Sequence, residues 1–474
     1  MNKYDLIVIG AGAGGLTVAA GAASLGASVA LIEKNSELGG DCLHYGCVPS
    51  KALITAAKEV HQAQKAAREF GLTFEGSPSI VQAMNRVRES ISDIQHHDSK
   101  DRFTKLGVKI YSGKGSFVDS HVIQIDEGEK IYGKRIVIAT GSRPNIPPTE
   151  GLKESGFLTN ETIFNVKEVP KRLVVIGGGP IGLEMAQSFA RFGSEVTVIE
   201  ANDKVFGRED HDIQKRIYEE LKSELSFLFN SKVIHVAVAA GKKVVTVETK
   251  GKNIELEADE ILLSAGRKPN TDLLNLDKIS VKSNRGNIQV NEYLQTTVPH
   301  IYAIGDTNGH FPFTHKAGLE GKLVVRNAVF GVKEKVNYDH VPWVTFTEPE
   351  VFHLGLTETE AREAHSKVKV YTVLSEDVDR FVTERDSTGF IKIITDKKGY
   401  ILGAHAVGKN AGDWMQEIVF AKTNKHKIGD ISNVIHPYPT HGSIVSQAAD
   451  QYWREKLFSG IVPKFAEKYI QWFR

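Results

Sequence analysis

Cys42 and Cys47 are the only cysteines in 474 residues, and they lie five positions apart in Leu38-Gly39-Gly40-Asp41-Cys42-Leu43-His44-Tyr45-Gly46-Cys47-Val48-Pro49-Ser50-Lys51. With no third cysteine to compete, the two either bond each other or stay free. Four intervening residues bring them within bridging reach if the start of a helix is distorted. A disulfide in a reducing compartment is more often catalytic or redox-sensing than structural. The chemistry open to this pair is two-electron thiol–disulfide exchange, with two inert buried thiols as the bland alternative. No Cys/His cluster has zinc spacing, so no metal site is expected.

Two glycine-rich turns stand on either side of the cysteine pair. The apolar strand Asp5–Ile9 runs into Gly10-Ala11-Gly12-Ala13-Gly14-Gly15, and Arg172–Ile176 runs into Gly177-Gly178-Gly179-Pro180-Ile181-Gly182. Both have Gly-x-Gly-x-x-Gly spacing and a helix pattern after the turn. In both, a second strand ends in an acid 18 residues past the third glycine, Glu33 and Glu200. Such glycines allow a tight turn and let a pyrophosphate approach the helix amino terminus, while the acid accepts a hydrogen bond from a ribose hydroxyl. Two dinucleotides and one dithiol make an electron-transfer chain. At the second turn a carboxylate at Glu200 repels a 2′-phosphate, no arginine follows before Arg208, and Gly182 closes the turn instead of alanine. NADH is therefore expected in preference to NADPH.

The elements that must hold these groups read as α/β. The glycine turns repeat with an offset of 167 residues and occur only twice, a duplicated fold unit and not a solenoid. Strand–helix–strand alternation in each copy argues for parallel sheets with right-handed crossovers. Residues 50–70 and 80–106 read as long helices, and Val108–Tyr111, Val122–Ile125 and Arg135–Gly141 as strands. Pro144, Pro147 and Pro148 mark a crossover. The segment Glu260–Pro269 echoes Ala139–Pro144, so the chain leaves the first dinucleotide domain and re-enters it at these two places. Ile301–Asp306 is another buried strand ending in an acid. From about residue 340 the glycine turns stop, and strands such as Gly389–Ile394 and Ala404–Val407 alternate with amphipathic helices, a third, α+β domain.

Basic and acidic residues number 59 and 58, which leaves no polyanion footprint and no nucleic-acid partner. The first strand begins at Tyr4 with no signal-peptide pattern before it, and no run approaches the roughly 18 apolar residues of a membrane span. A cytoplasmic protein is expected.

With these motifs in view, the whole chain resembles the flavoprotein pyridine nucleotide–disulfide oxidoreductases, the family of dihydrolipoamide dehydrogenase, glutathione reductase and mercuric reductase. The resemblance implies FAD at the first turn, NAD(P)H at the second, and a homodimer. It divides the chain into an FAD-binding domain at 1–148 and 270–338, a nucleotide domain at 149–269 and an interface domain at 339–474. It makes Cys47 the flavin-proximal thiol and Cys42 the interchange thiol, and places Lys51 near the flavin N5, paired with Glu184. Asp306 would bond the ribityl chain, Thr140 and Gly141 belong to a middle segment, and Thr314 contacts the flavin. Lys34, Gly40, Asp41, Gly115 and Ser142 complete the FAD set, and Val233 and Gly266 join the glycines and Glu200 at the nucleotide.

One departure matters. The family carries His-Pro-Thr near its carboxyl terminus, with a glutamate five residues after the histidine. The pair acts as acid and base on the substrate dithiol from the partner subunit. Here the run is Ile435-His436-Pro437-Tyr438-Pro439-Thr440-His441-Gly442-Ser443, so Tyr438 takes the histidine position and Ser443 the glutamate position. A tyrosine with a pKa near 10 is a poor base at neutral pH but can donate a hydrogen bond. Tyrosine there, and the helix Ala186–Ser194, resemble the mercuric reductase-like subgroup, yet residues 455–474 lack that subgroup's extra cysteine pair. His436 and His441 are the spare candidates for a base. After Pro463, Phe465, Ala466, Tyr469, Ile470 and Phe473 follow helical spacing; packing on the interface domain or a partner is favoured over a membrane surface.

The expected activity is oxidation of NADH through FAD and a Cys42–Cys47 disulfide to an unidentified small-molecule or metal-ion acceptor: a disulfide, a metal ion or a quinone. Dihydrolipoamide dehydrogenase is the alternative enzyme. A redox sensor that holds FAD without fast turnover is the alternative from another class.

Overall fold

The computed structural model describes residues 1–459 and 462–473. They cluster into two compact units: residues 1–177, 188–201 and 231–337 form one, and 178–187, 202–230 and 338–474 the other.

In the first unit the strand Asn2–Ile9 pairs in parallel with Val29–Glu33 on one side and Lys130–Ile138 on the other. Lys109–Ser112 extends the sheet beyond Val29–Glu33, and Ile301–Ala303 also runs parallel to Lys130–Ile138. Antiparallel strands Val122–Ile125 and Gly115–Phe117 complete it. The continuous run Leu6-Ile7-Val8-Ile9 is buried on both faces, as a central parallel strand requires. Alternation along the strand sends Leu6 and Val8 into one core cluster and Ile7 and Ile9 into another. Each such side chain contributes about 1.5–3 kcal/mol on burial.

Three parallel strands repeat the pattern around the second glycine turn, with Arg172–Ile176 between Glu195–Ile199 and Glu260–Leu263. Beside them Ser231–Ala239, Lys242–Thr249 and Lys252–Ala258 form an antiparallel meander. The two echoing glycine stops meet: Ser142–Pro144 and Arg267–Pro269 pair antiparallel. Thr140 Oγ1 donates to Asn270 O at 2.7 Å and Asn270 Nδ2 returns a bond to Thr140 O at 3.0 Å. Exit and re-entry thus run side by side.

One expected helix is broken. Residues 80–106 form Ile80–Gln95, a 3₁₀ turn His96–Asp98, and a separate helix Lys100–Lys105. Ser99 is the reason: in extended conformation it caps the last helix, its Oγ accepting from Arg102 N.

The second unit is built on an antiparallel sheet of five strands, in the order Pro342–Thr345, Glu350–Gly355, Ile401–Gly408, Phe390–Asp396, Val368–Leu374. Phe352, Leu354, Ile391, Ile393, Ala404 and Ala406 share one core cluster with residues of helix Ser443–Phe458. The terminal helix Val462–Trp472 presents Phe465, Tyr469 and Trp472 at the surface. Among the described residues no helix is long and apolar enough to cross a membrane. The α/β class, with two Rossmann-like units and a carboxyl-terminal α+β portion, is present as read from the sequence.

Candidate dithiol and dinucleotide sites

Cys42 lies in the short helix Gly40–His44 and Cys47 is the first residue of the long helix Cys47–Phe70. The expected distortion is a complete break. Gly46 sits outside helical space at φ −122°, ψ −108°, and a Cβ there would stand 3.0 Å from Asp41 O. Opening a helix gives Cys47 the positive end of the helix dipole. Both thiols are free, Cys42 half-buried and Cys47 exposed.

The two sulfurs are unequal. The Cys42–Cys47 hydrogen bond, then Thr314 and the nearby Lys51 ammonium, pull the Cys47 thiol down to about 6 against the effect of burial. The same hydrogen bond and burial push Cys42 far up. Thr314 Oγ1 is 3.2 Å from Cys47 Sγ, and Lys51 stands one helical turn beyond Cys47. The surroundings therefore favour charge on Cys47 over Cys42, and the thiolate is the form in which sulfur is a nucleophile.

A polar network braces the cysteine helix from behind. Arg267 donates from Nε to Ser142 Oγ at 2.7 Å and from a terminal nitrogen to Ser142 O at 3.0 Å. The same guanidinium lies 3.2 Å from Asp41 Oδ1 and 3.8 Å from Asp306 Oδ2, and Ser142 Oγ donates to Asp306. Asn160 Nδ2 bonds both Asp41 Oδ1 at 3.3 Å and Tyr45 O at 3.1 Å. Behind Asp306, buried Lys316 donates to Gly305 O at 3.1 Å and Asn308 Oδ1 at 2.9 Å, and Glu320 accepts from Gly305 N at 2.7 Å. Sequence reasoning found Asp41, Ser142 and Asp306 but missed Arg267, Asn160, Lys316 and Glu320. Only the position of Arg267, directly after Gly266 in the echoed segment, hinted at it.

The first glycine turn fits a dinucleotide. Gly10 has φ +103°, and a Cβ there would stand 2.4 Å from Ala139 O. Gly12 caps the helix Ala13–Ser24 without any side-chain hydrogen bond, which leaves the helix start suited to an anion. A Cβ on Gly15 would collide with Gly10 O, and one on Gly40 would lie 2.6 Å from the Cα of Gly12. Glu33 is buried and its carboxylate is oriented by the N–H groups of Ala11 at 2.7 Å and Asn35 at 2.9 Å. A Cβ on Gly14 would stand 3.1 Å from Ile304 Cδ1, and one on Gly115 would crowd Ile9, Ile32 and Ile123. Lys34 is exposed; Thr140 and Gly141 lie half-buried just past the strand Lys130–Ile138.

At the second turn Gly177 has φ +111° and its Cβ would meet Ser264 O at 2.6 Å, whereas one on Gly179 would meet nothing. Pro180 and Ile181 are exposed at the start of the helix Pro180–Arg191, Gly182 is buried, and Glu200 is half-buried. Gly266 is exposed with φ +89°. Val233 lies on the antiparallel meander opposite Val247.

In the second unit Glu184 is buried and accepts the Phe346 N–H at 2.9 Å. Tyr438 is exposed and donates its hydroxyl to Asp379 at 2.6 Å, which raises its pKa above the ordinary tyrosine value. His436 Nε2 is 2.9 Å from Glu417 Oε2, and His441 Nε2 is 3.3 Å from Glu384 Oε2.

The comparisons with known proteins agree with this geometry. A model described as pyridine nucleotide-disulphide oxidoreductase matches residues 4–321, and the dimerisation domain of the same family matches 341–449. A mercuric reductase of Lysinibacillus sphaericus is 33% identical over 456 residues, covering 94% of this chain and 82% of the relative. A dihydrolipoyl dehydrogenase of Chlamydia trachomatis is 36% identical over 463 residues, covering 95% and 97%. Among solved structures, a Cu(II) complex of the HOCl-induced flavoprotein disulfide reductase RclA from Escherichia coli superposes with a TM-score of 0.85 at 27% identity, covering 95% of this chain and 100% of that one. The chain therefore belongs to the pyridine nucleotide-disulphide oxidoreductases, FAD-dependent enzymes that bind a pyridine nucleotide and dimerise through a dedicated domain.

Proposed function

We propose that this chain oxidises NADH and delivers two electrons, through FAD and the Cys42–Cys47 pair, to a small acceptor other than lipoamide: a disulfide, a metal ion or a quinone. Residues 1–148 and 270–338 hold FAD, 149–269 hold the nucleotide, and 339–474 make the interface. The polarised dithiol fits a reducing compartment, the cytoplasm.

Bound FAD supplies a relay for the electron pair between nicotinamide and sulfur. The chain's own groups manage the rest. NADH gives up one hydride, the S–S bond breaks, and the pair ends as one thiolate and one thiol, which balances both electrons and the single proton. Cys47 keeps the negative charge beside Thr314 and Lys51, and Cys42 carries the proton. Cys42 is then the sulfur that meets the acceptor, by thiolate attack after losing that proton. Lys51, one helical turn beyond Cys47, would be held toward the flavin, and the repulsion of a 2′-phosphate by Glu200 favours NADH.

The observation that carries the choice of acceptor is the Tyr438–Asp379 hydrogen bond. A base for a dithiol substrate must accept a proton near neutral pH. Tyr438 already holds its proton firmly, and its carboxylate partner raises its pKa further. NADH oxidation measured against a panel of disulfides, quinones and metal ions should give multiple turnovers with at least one of them. Dihydrolipoamide oxidation should be slow. Stoichiometric reduction of the cysteines without turnover on any acceptor would favour the sensor instead.

A second reading has its own support. His436 and Glu417 form a 2.9 Å pair two residues from Tyr438 in sequence, the residue types that dihydrolipoamide dehydrogenation needs. Loss of dihydrolipoamide activity in His436→Gln would single out that reading.

A further inference from the structure

A buried polar row crosses the five-stranded sheet of the second unit. Trp343 opposes His353, His353 opposes His405, and His405 opposes Lys392, each across an antiparallel register. Residues directly opposite one another put their side chains on the same face. Glu209, which precedes the helix His211–Leu221, meets this row from outside the sheet. Trp343 stacks on His353 at 3.6 Å between ring centroids, and His353 meets His405 edge-on at 4.5 Å.

The hydrogen bonds assign the ring protons. His353 Nε2 is 2.9 Å from Gly355 O, and His405 Nε2 is 3.0 Å from Leu356 O. A carbonyl only accepts, so both Nε2 atoms carry hydrogen, and on a neutral ring the lone pair is at Nδ1. His353 Nδ1 points at Glu209 Oε2, 2.9 Å away. The other carboxylate oxygen is taken by the Trp343 indole N–H at 2.6 Å. His405 is fully buried, and its Nδ1 has no hydrogen-bond partner. One donor atom from each of Glu209, His353 and His405 lies within 4.8 Å of the others.

We propose that Glu209, His353 and His405 form a site for one divalent transition ion of zinc type, bound through Nδ1 of each histidine and Oε2 of the glutamate. A proton shared between His353 and Glu209 would leave the His405 lone pair buried and unsatisfied; an ion satisfies all three donors together. Two imidazoles and a carboxylate are a zinc donor set, with a fourth position left to water. The outer contacts that orient such ligands are already in place, a carbonyl on each Nε2–H and an indole on the free carboxylate oxygen. Tetrahedral bonds to zinc put donors about 3.4 Å apart, so the wider spacings close by roughly an ångström on binding. Lys392, next in the row, has its charge met by Asp210 at 2.8 Å, Asp212 at 2.7 Å and Glu358 at 2.6 Å, which shields the ion from it. The ion would tie the segment before helix His211–Leu221 to two strands of the sheet, a structural role independent of the dithiol.

Thiolates are themselves zinc ligands, so the test uses FAD-loaded protein carrying Cys42→Ser and Cys47→Ser. After dialysis against zinc chloride, metal analysis should find one zinc per chain, with at least tenfold weaker binding in added His405→Gln or Glu209→Gln. Zinc-edge X-ray absorption on the serine background should show imidazole and oxygen ligation with no sulfur. Zinc should raise the Tm of the background and not of the two variants. A well-folded background protein that takes up no zinc, or variants that bind it as tightly, would overturn the site. The spectrum of the background protein decides the matter even where a variant fails to fold.

Discussion

Thr314 Oγ1 lies 3.2 Å from Cys47 Sγ although 267 residues separate them in the chain. Thr314 opens the helix Thr314–Phe330, and Cys47 opens the helix Cys47–Phe70. Two helix amino termini thus converge on one sulfur, and a hydroxyl and Lys51 join them. Charge at Cys47 is favoured by everything around it except burial and Asp41.

That arrangement sets a pH dependence. The Cys47 thiol is held down to about 6, against the ordinary value of about 8.5. An acid with a lowered pKa is ionised above it, so the thiolate persists at neutral pH and is lost as pH falls through about 6. In two-electron-reduced, FAD-bound protein, long-wavelength absorbance reports the thiolate and should titrate with that midpoint. Thr314→Val and Lys51→Met should each raise the midpoint by about one pH unit. Absorbance that survives in Cys47→Ser would assign the charge to the wrong sulfur.

Glu200 should set the nucleotide preference. Its carboxylate directly follows the strand Glu195–Ile199, where on the proposed reading it would accept from a ribose hydroxyl and repel a 2′-phosphate. kcat/KM should be higher for NADH, and Glu200→Ala should narrow the difference. A tenfold ratio corresponds to about 1.4 kcal/mol in the transition state. Equal use of both nucleotides by the unmodified enzyme would show that the carboxylate does not reach the ribose.

Arg267 should matter more for stability than its place in a three-residue strand suggests. It bonds Ser142 and lies within ion-pair range of Asp41 and Asp306. Charged hydrogen bonds are worth about 1.5–3 kcal/mol, and the half-exposed carboxylates around it retain some solvent. Arg267→Met should therefore lower unfolding free energy by about 1–3 kcal/mol and weaken FAD retention. Denaturant unfolding with flavin release as a second probe measures both. Unchanged values on both probes would remove Arg267 from the brace.

What the sequence made legible was local. The glycine turns, the acids that end the second strands, and the cysteine pair each sit within a few residues or one strand–helix–strand unit, so spacing reveals them. Arg267 reaches Ser142 across 125 positions, Glu209 reaches His353 across 144, and Tyr438 reaches Asp379 across 59. Those partners are set by sheet register and by the return of the chain, which no periodicity records. The break at Ser99 shows the same limit in miniature: the helix expected over 80–106 stops at Gln95, and one capping hydroxyl starts a new helix at Lys100.

The last prediction turns on Tyr438. Its hydroxyl donates to Asp379 at 2.6 Å, and that carboxylate raises the tyrosine pKa. Taking a proton from a substrate thiol would first require removing the tyrosine's own, beside a negative charge, and at neutral pH that is unfavourable. General-base assistance is worth about 10²–10⁴-fold, so dihydrolipoamide oxidation should fall short by that factor of a relative with the His–Glu pair. Tyr438→Phe should hardly change turnover with quinones or metal ions, which bring no substrate thiol to be deprotonated. Tyr438→His with Ser443→Glu should recover part of the dihydrolipoamide rate, and Asp379→Asn should not. The discriminating measurement is the rate of dihydrolipoamide oxidation in these variants from pH 6 to 9. Fast oxidation by the unmodified enzyme, abolished by His436→Gln, would move the base to the His436–Glu417 pair and leave Tyr438 a hydrogen-bond donor alone.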